Sequence, residues 1–201
     1  MKTVVAIVVV VAIAALLWRA TKARAQAPAA SKPDMAAKTS SDPKDVYIGL
    51  RNLMLQGSRS KFGLGATSKP TEPWGVVMDW GMEKGTATVI AMSDGSASVY
   101  LSSGGGFIGG KDQEPIRQAA QRSVDTARSV QLPPESTTDY PLPEQHGVFF
   151  YFLTDAGVFT LRTSEKDVQS PGHPLRQLGN AMQAVITEYR LWDSRKKSQA
   201  K

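Results

Sequence analysis

Residues 4–18 form an unbroken apolar run, with Lys2 before it and Arg19, Lys22 and Arg24 behind it. A stretch of that kind belongs in a bilayer or in an export signal, so it separates the chain's first segment from anything that packs in water. A helix rises about 1.5 Å per residue, so the run covers roughly 22 Å of a hydrocarbon core about 30 Å thick. It is short for a span, but Lys2 and Arg19 can extend to the interface and Trp18 suits that depth. The rival is a cleaved signal peptide, whose apolar region has about this length. Cleavage after Ala25-Gln26-Ala27 would leave Pro28 next to the cut, and Ala23-Arg24-Ala25 follows basic residues where such signals are neutral. The expectation is a retained single-pass transmembrane helix, with residues 1–24 as membrane anchor and residues 4–18 as the membrane contact.

Basic residues set the expected orientation. Arg19, Lys22, Arg24 and Lys32 follow the run, whereas only Lys2 and the terminal amine precede it. The positive-inside bias favours a cytoplasmic domain, with a periplasmic or extracellular domain after export as the alternative. The chain has no cysteine, which excludes a disulfide framework and a thiolate metal site without choosing the compartment.

The net charge of +6 points towards nucleic acid only until it is divided by region. Residues 1–44 carry 7 basic and 2 acidic side chains, residues 45–189 carry 12 and 15, and residues 190–201 carry 5 and 1. The folded portion is therefore mildly acidic and the excess sits in two tails. A phosphate-tracking face belongs on the domain itself, so no nucleic-acid partner is expected. Basic tails beside an anchor suit an anionic leaflet, but at residues 194–201, the basic tail, a solvated, frayed helix end with Arg195, Lys196, Lys197 and Lys201 is the favoured reading.

Residues 25–41 are rich in Ala, Pro, Ser and Lys and read as a flexible tether. A globular domain is expected over residues 42–193. Asp42 as N-cap and Pro43 in the first turn open a helix whose apolar stripe is Val46, Tyr47, Leu50, Leu53 and Met54, ended by Gly57. Alternation then gives three strands: Trp74, Val76, Met78 and Trp80; Thr86, Thr88, Ile90 and Met92; Val99 and Leu101. Residues 82–85 and Asp94-Gly95 supply the turns. A helix over residues 113–130, with Asp112 as N-cap, presents Ile116, Ala119, Ala120, Val124 and Ala127. Residues 148–153 and 158–162 form a second hairpin, and residues 174–193 a last helix carrying Leu175, Leu178, Met182, Val185, Ile186 and Tyr189.

The order is α-βββ-α-ββ-α, a single α+β domain on a five-stranded antiparallel sheet. It is loosely similar to the profilin, longin and roadblock group of sheet-and-helix modules, which act mostly as adaptors. That likeness is one of architecture, and fold alone does not give function.

Gly104, Gly105, Gly106, Gly109 and Gly110 match G-x-G-x-x-G between a strand and a helix, and such a loop can cradle a phosphate. Asp112 and Glu114 place negative charge where that phosphate would sit, and the preceding strand belongs to an antiparallel meander. A turn requiring positive φ, or a close approach of backbone, explains the glycines better. The phosphate reading requires that Gly106→Ala or Gly109→Ala abolish ligand binding with the fold intact. Trp74, Trp80, Phe107 and Ile108 are candidates for an interaction surface, with both tryptophans on one strand face.

His146 and His173 have no partner at metal-ligand spacing, and Ser98, Ser102 and Ser103 lack a nucleophile elbow. Asp79 with Glu83, and Glu165 with Asp167, read as solvated turn carboxylates. No catalytic residue, metal or cofactor is expected. The leading expectation is a membrane-tethered, non-enzymatic adaptor domain binding an unidentified protein or forming a homodimer. A small-ligand or nucleotide-binding module on residues 104–110, and an exported cell-envelope accessory domain, are the alternatives.

Overall fold

Turn chemistry sets the order of the elements. In this computed structural model, which describes residues 42–200, the expected anchor (residues 1–24) and tether (residues 25–41) lie outside the described residues. Helix α1 (Pro43–Leu55) starts where Asp42 accepts from the Lys44 N–H at 2.8 Å and Pro43 fills the first turn. A 3-10 turn follows at Arg59–Phe62. Strands β1 (Gly75–Met82) and β2 (Gly85–Met92) are joined by Glu83 and Lys84, and Gly85 takes φ 108° at the exit. Strand β3 (Ala97–Leu101) follows the Asp94-Gly95 turn, where Asp94 accepts from the Ser96 N–H at 2.9 Å. Next come β4 (Gly106–Ile108), a 3-10 turn at Gly110–Asp112, and α2 (Glu114–Arg128). The chain ends with β5 (Gly147–Thr154), β6 (Gly157–Ser164), α3 (Glu165–Gln169) and α4 (Arg176–Gln199).

The fold is α+β on one antiparallel sheet, ordered β4-β3-β2-β1-β5-β6. It has six strands instead of the expected five. Gly106–Ile108 returns beside β3 and forms the sixth, and α3 adds a helix. Gln113, not Asp112, takes the N-cap position of the second helix, without a side-chain capping bond, since Asp112 belongs to the 3-10 turn. Helix α4 runs to Gln199, so most of the expected tail from residue 194 is helical. No helix among the described residues is long and apolar enough to cross a membrane.

Both sheet faces are covered. Val76, Met78, Val89, Phe150 and Phe152 meet α2 and α4 through Ala120, Val124, Leu178, Met182 and Val185. The alanines of α2 let α4 approach closely. On the other face, Val77, Ile90, Tyr151 and Leu153 pack with Tyr47, Met54 and Leu55 of α1. Each large apolar side chain buried this way contributes about 1.5–3 kcal/mol.

Two-sided burial corrects two expectations. Helix α1 buries Tyr47, Arg51, Met54 and Leu55, while Val46 and Leu53 of the expected stripe are exposed. Trp74 precedes β1 and packs on the α1 side, whereas Trp80 packs on the side of α2 and α4, so the two do not share a face.

Candidate functional site

The most polar part of the core lies between α1 and β1. Asp79 and Arg51 are almost completely buried, at 0 % and 2 % exposure. Arg51 donates through Nε and Nη2 to one Asp79 oxygen at 2.8 and 2.6 Å, and through Nη1 to the Tyr140 carbonyl at 3.0 Å. The Thr88 hydroxyl donates to the other Asp79 oxygen at 2.5 Å and lies 2.8 Å from the Tyr47 hydroxyl. Tyr151 places its ring 5.4 Å from the guanidinium carbon and donates to the Pro141 carbonyl. Asp79 is thus not the solvated turn residue that its spacing to Glu83 implied.

Burial pushes the Asp79 carboxyl up, against the downward pull of Arg51 and Thr88. Burial also works against the Arg51 charge, but the carboxylate outweighs it and the guanidinium is raised. Three donors on two carboxylate oxygens favour the ionised form, and we assign the pair as charged. Burial, reinforced by the Asp79 charge, pushes Tyr151 up to about 12. With no opening to solvent at Asp79, the cluster clamps α1 and the 140–141 segment to the sheet.

The glycine motif forms the β3–β4 hairpin. Gly104, Gly105, Gly106 and Gly109 all have positive φ. At Gly106 a Cβ would collide with the Val99 carbonyl, and at Gly110 with Ile116 and the Tyr189 hydroxyl. These are backbone reasons for glycine, and Gly106→Ala cannot serve as a fold-neutral probe of ligand binding. Gly109, in open space at φ 74°, carries only the conformational cost. Phe107 stacks on Tyr189 at 5.1 Å and meets Trp192 edge-on at 6.4 Å. Trp74 is buried against Phe62 and Trp80 is half-buried. Of the four candidates for an interaction surface, only Ile108 is widely exposed, at 70 %.

An unfinished polar surface lies at the opposite edge of the sheet. The β5–β6 register turns the backbone groups of Val158, Thr160, Arg162 and Ser164 away from β5. Thr137 occupies the first position, donating its N–H to the Val158 carbonyl at 2.6 Å as an antiparallel bridge. Beyond it, no described residue bonds to the outward N–H or C=O of Thr160 or Arg162. The Thr160 hydroxyl and the Trp74 indole N–H are shielded from solvent without a partner among the described residues.

Two hollows flank this edge. On the side of α2 and α4, one of about 640 Å³ is lined by Leu132, Pro133, Pro134, Leu161, Pro174 and Leu175, among others. On the α1 side, one of about 480 Å³ includes Leu142, Glu144, His146, Phe149 and Arg162. Arg162 is exposed, lies over the Phe149 ring at 5.0 Å, and makes no ion pair with a described residue, including Glu144. Alternation could not reveal this edge, because the identity of the outermost strand is a non-local property.

His146 faces Glu165 at 3.1 Å on the surface, and His173 accepts from the Leu175 N–H. Among the described residues no three His, Asp or Glu side chains are grouped to hold a metal. No family model matches the chain, and comparison with curated proteins and with solved structures found no significant match. The architectural likeness to the profilin, longin and roadblock group therefore carries no functional argument.

Proposed function

We propose that this chain is a non-enzymatic protein-interaction module, tethered to a membrane through residues 4–18, whose domain takes an extended peptide segment onto the open edge of β6. The observation that supports it is the unpaired register at Thr160 and Arg162, next to a position that Thr137 already occupies. A row of free N–H and C=O groups is a template for another strand, and main-chain bonds supply the affinity of such docking. Hollows on both sides of the edge can receive side chains that alternate across an incoming strand.

Panning a displayed library of linear peptides against the full-length chain tests the reading. Recovered binders are expected to slow hydrogen exchange at the Thr160 and Arg162 amides. Failure to recover a binder, or protection confined to other segments, would overturn it. If the same amides became protected with protein concentration alone, the occupant would be a second copy and the peptide reading would fail.

A further inference from the structure

Resting on the docking reading, we infer that the β6 edge selects a segment in which an apolar residue is followed or preceded directly by an acidic one. Leu161 and Arg162 point to opposite faces of the sheet, as consecutive strand residues must. Residues of an added strand fall on the same faces as their cross-strand partners. A side chain placed beside Leu161 enters the larger hollow, whose walls are Leu132, Pro133, Pro134, Pro174 and Leu175. Ser129, Gln131 and His173 also line it, but the apolar side chains predominate, so the hollow favours an aliphatic or aromatic group.

The next side chain lies beside Arg162. Its guanidinium is held over the Phe149 ring and has no carboxylate of its own, so its in-plane donors are available to an incoming carboxylate. Glu144 and His146 line the same hollow, and Glu165, Lys166 and Asp167 follow the strand. Glu144 adds negative charge to the same hollow, which disfavours a second acid there. The chemistry is therefore that of an extended peptide with adjacent apolar and acidic residues, not of a uniformly acidic one.

The test uses binders recovered on the full-length chain, together with the probe Ser-Thr-Leu-Glu-Val-Thr-Ser and its Glu-to-Lys counterpart. Recovered binders are expected to be enriched in apolar–acidic neighbours, and the Glu probe to bind roughly tenfold more tightly than the Lys probe. Arg162→Glu, a surface change, is expected to reverse that preference. Thr160→Pro removes an outward N–H from an edge strand, where proline is tolerated, and is expected to abolish binding with the melting temperature little changed. Loss of binding in Thr160→Pro with no acidic preference, and no reversal in Arg162→Glu, would overturn the selectivity while leaving edge docking in place. Binding indifferent to both substitutions would overturn docking itself. If Thr160→Pro fails to fold, the reversal in Arg162→Glu decides the selectivity alone.

Discussion

Arg51 and Asp79 face each other in a region that excludes water, and neither charge has another counter-charge in contact among the described residues. Removing one member strands the other, which costs far more than the pair itself contributes. Asp79→Ala is expected to destabilise the domain by about 3–5 kcal/mol in urea unfolding. The double change Arg51→Met with Asp79→Leu replaces both charges by apolar side chains, and is expected to recover most of that loss. A double variant no more stable than Asp79→Ala would mean that the bonds from Arg51 to the Tyr140 and Pro141 carbonyls, not the ion pair, hold α1 in place. The spacing of apolar residues could not reveal this pair, because a stripe count does not choose a cation for the buried face. A signal was present nonetheless. The continuous apolar run of β5, Val148 to Leu153, marks strands buried on both faces, and in such a sheet Asp79 has no wet side to occupy.

At the scale of elements, the long alternating strands and the helices with regular stripes were legible, since their periodicity reflects burial against a single neighbour. Strand β4 was not. Three residues containing one glycine show no period, and only pairing with β3 makes them a strand. Its position depends on α4. The Tyr189 hydroxyl donates to the Ala97 carbonyl at 2.6 Å and accepts from the Gly110 N–H at 3.0 Å, tying the helix to both ends of the β3–β4 segment. Burial pushes this phenol up to about 12. The folded state therefore favours the protonated phenol. The contribution to stability is complete below the unfolded value of about 10, and is lost as pH rises from there through the folded value. Tyr189→Phe is expected to cost about 1 kcal/mol near neutrality through its hydrogen bonds. It is also expected to flatten the fall in melting temperature over that alkaline window, a fall to which Tyr151 still contributes. A parallel fall in both proteins would show that Tyr189 does not carry the alkaline sensitivity.

For the molecule as a whole, charge and topology place different surfaces at different ends of the sheet order. The open edge at β6 and the glycine hairpin at β4 are the two outermost strands, so a peptide on β6 leaves the Ile108 end untouched. Neither could be ranked from sequence, because the pairing of β1 with β5 decides which strands end outermost. The side of the membrane on which this edge meets its partner follows from the basic residues after the apolar run and is proposed to be the cytoplasm. The cysteine-free chain allows a direct measurement. Ser194 is exposed on α4 and only donates back to the Arg190 carbonyl, so Ser194→Cys disturbs no packing. In intact cells this thiol is expected to resist a membrane-impermeant reagent and to react fully after lysis. Peptide partners would then be cytoplasmic, and Arg195 beside it would be open to an anionic leaflet at about 1 kcal/mol when close to the surface, whereas Lys197 is paired with Asp193 and Lys196 lies over the Trp192 ring. Labelling in intact cells would instead place the β6 edge outside, where an envelope component would supply the strand. The edge chemistry is the same in either case, so the thiol decides the compartment of the partner without deciding the docking mode.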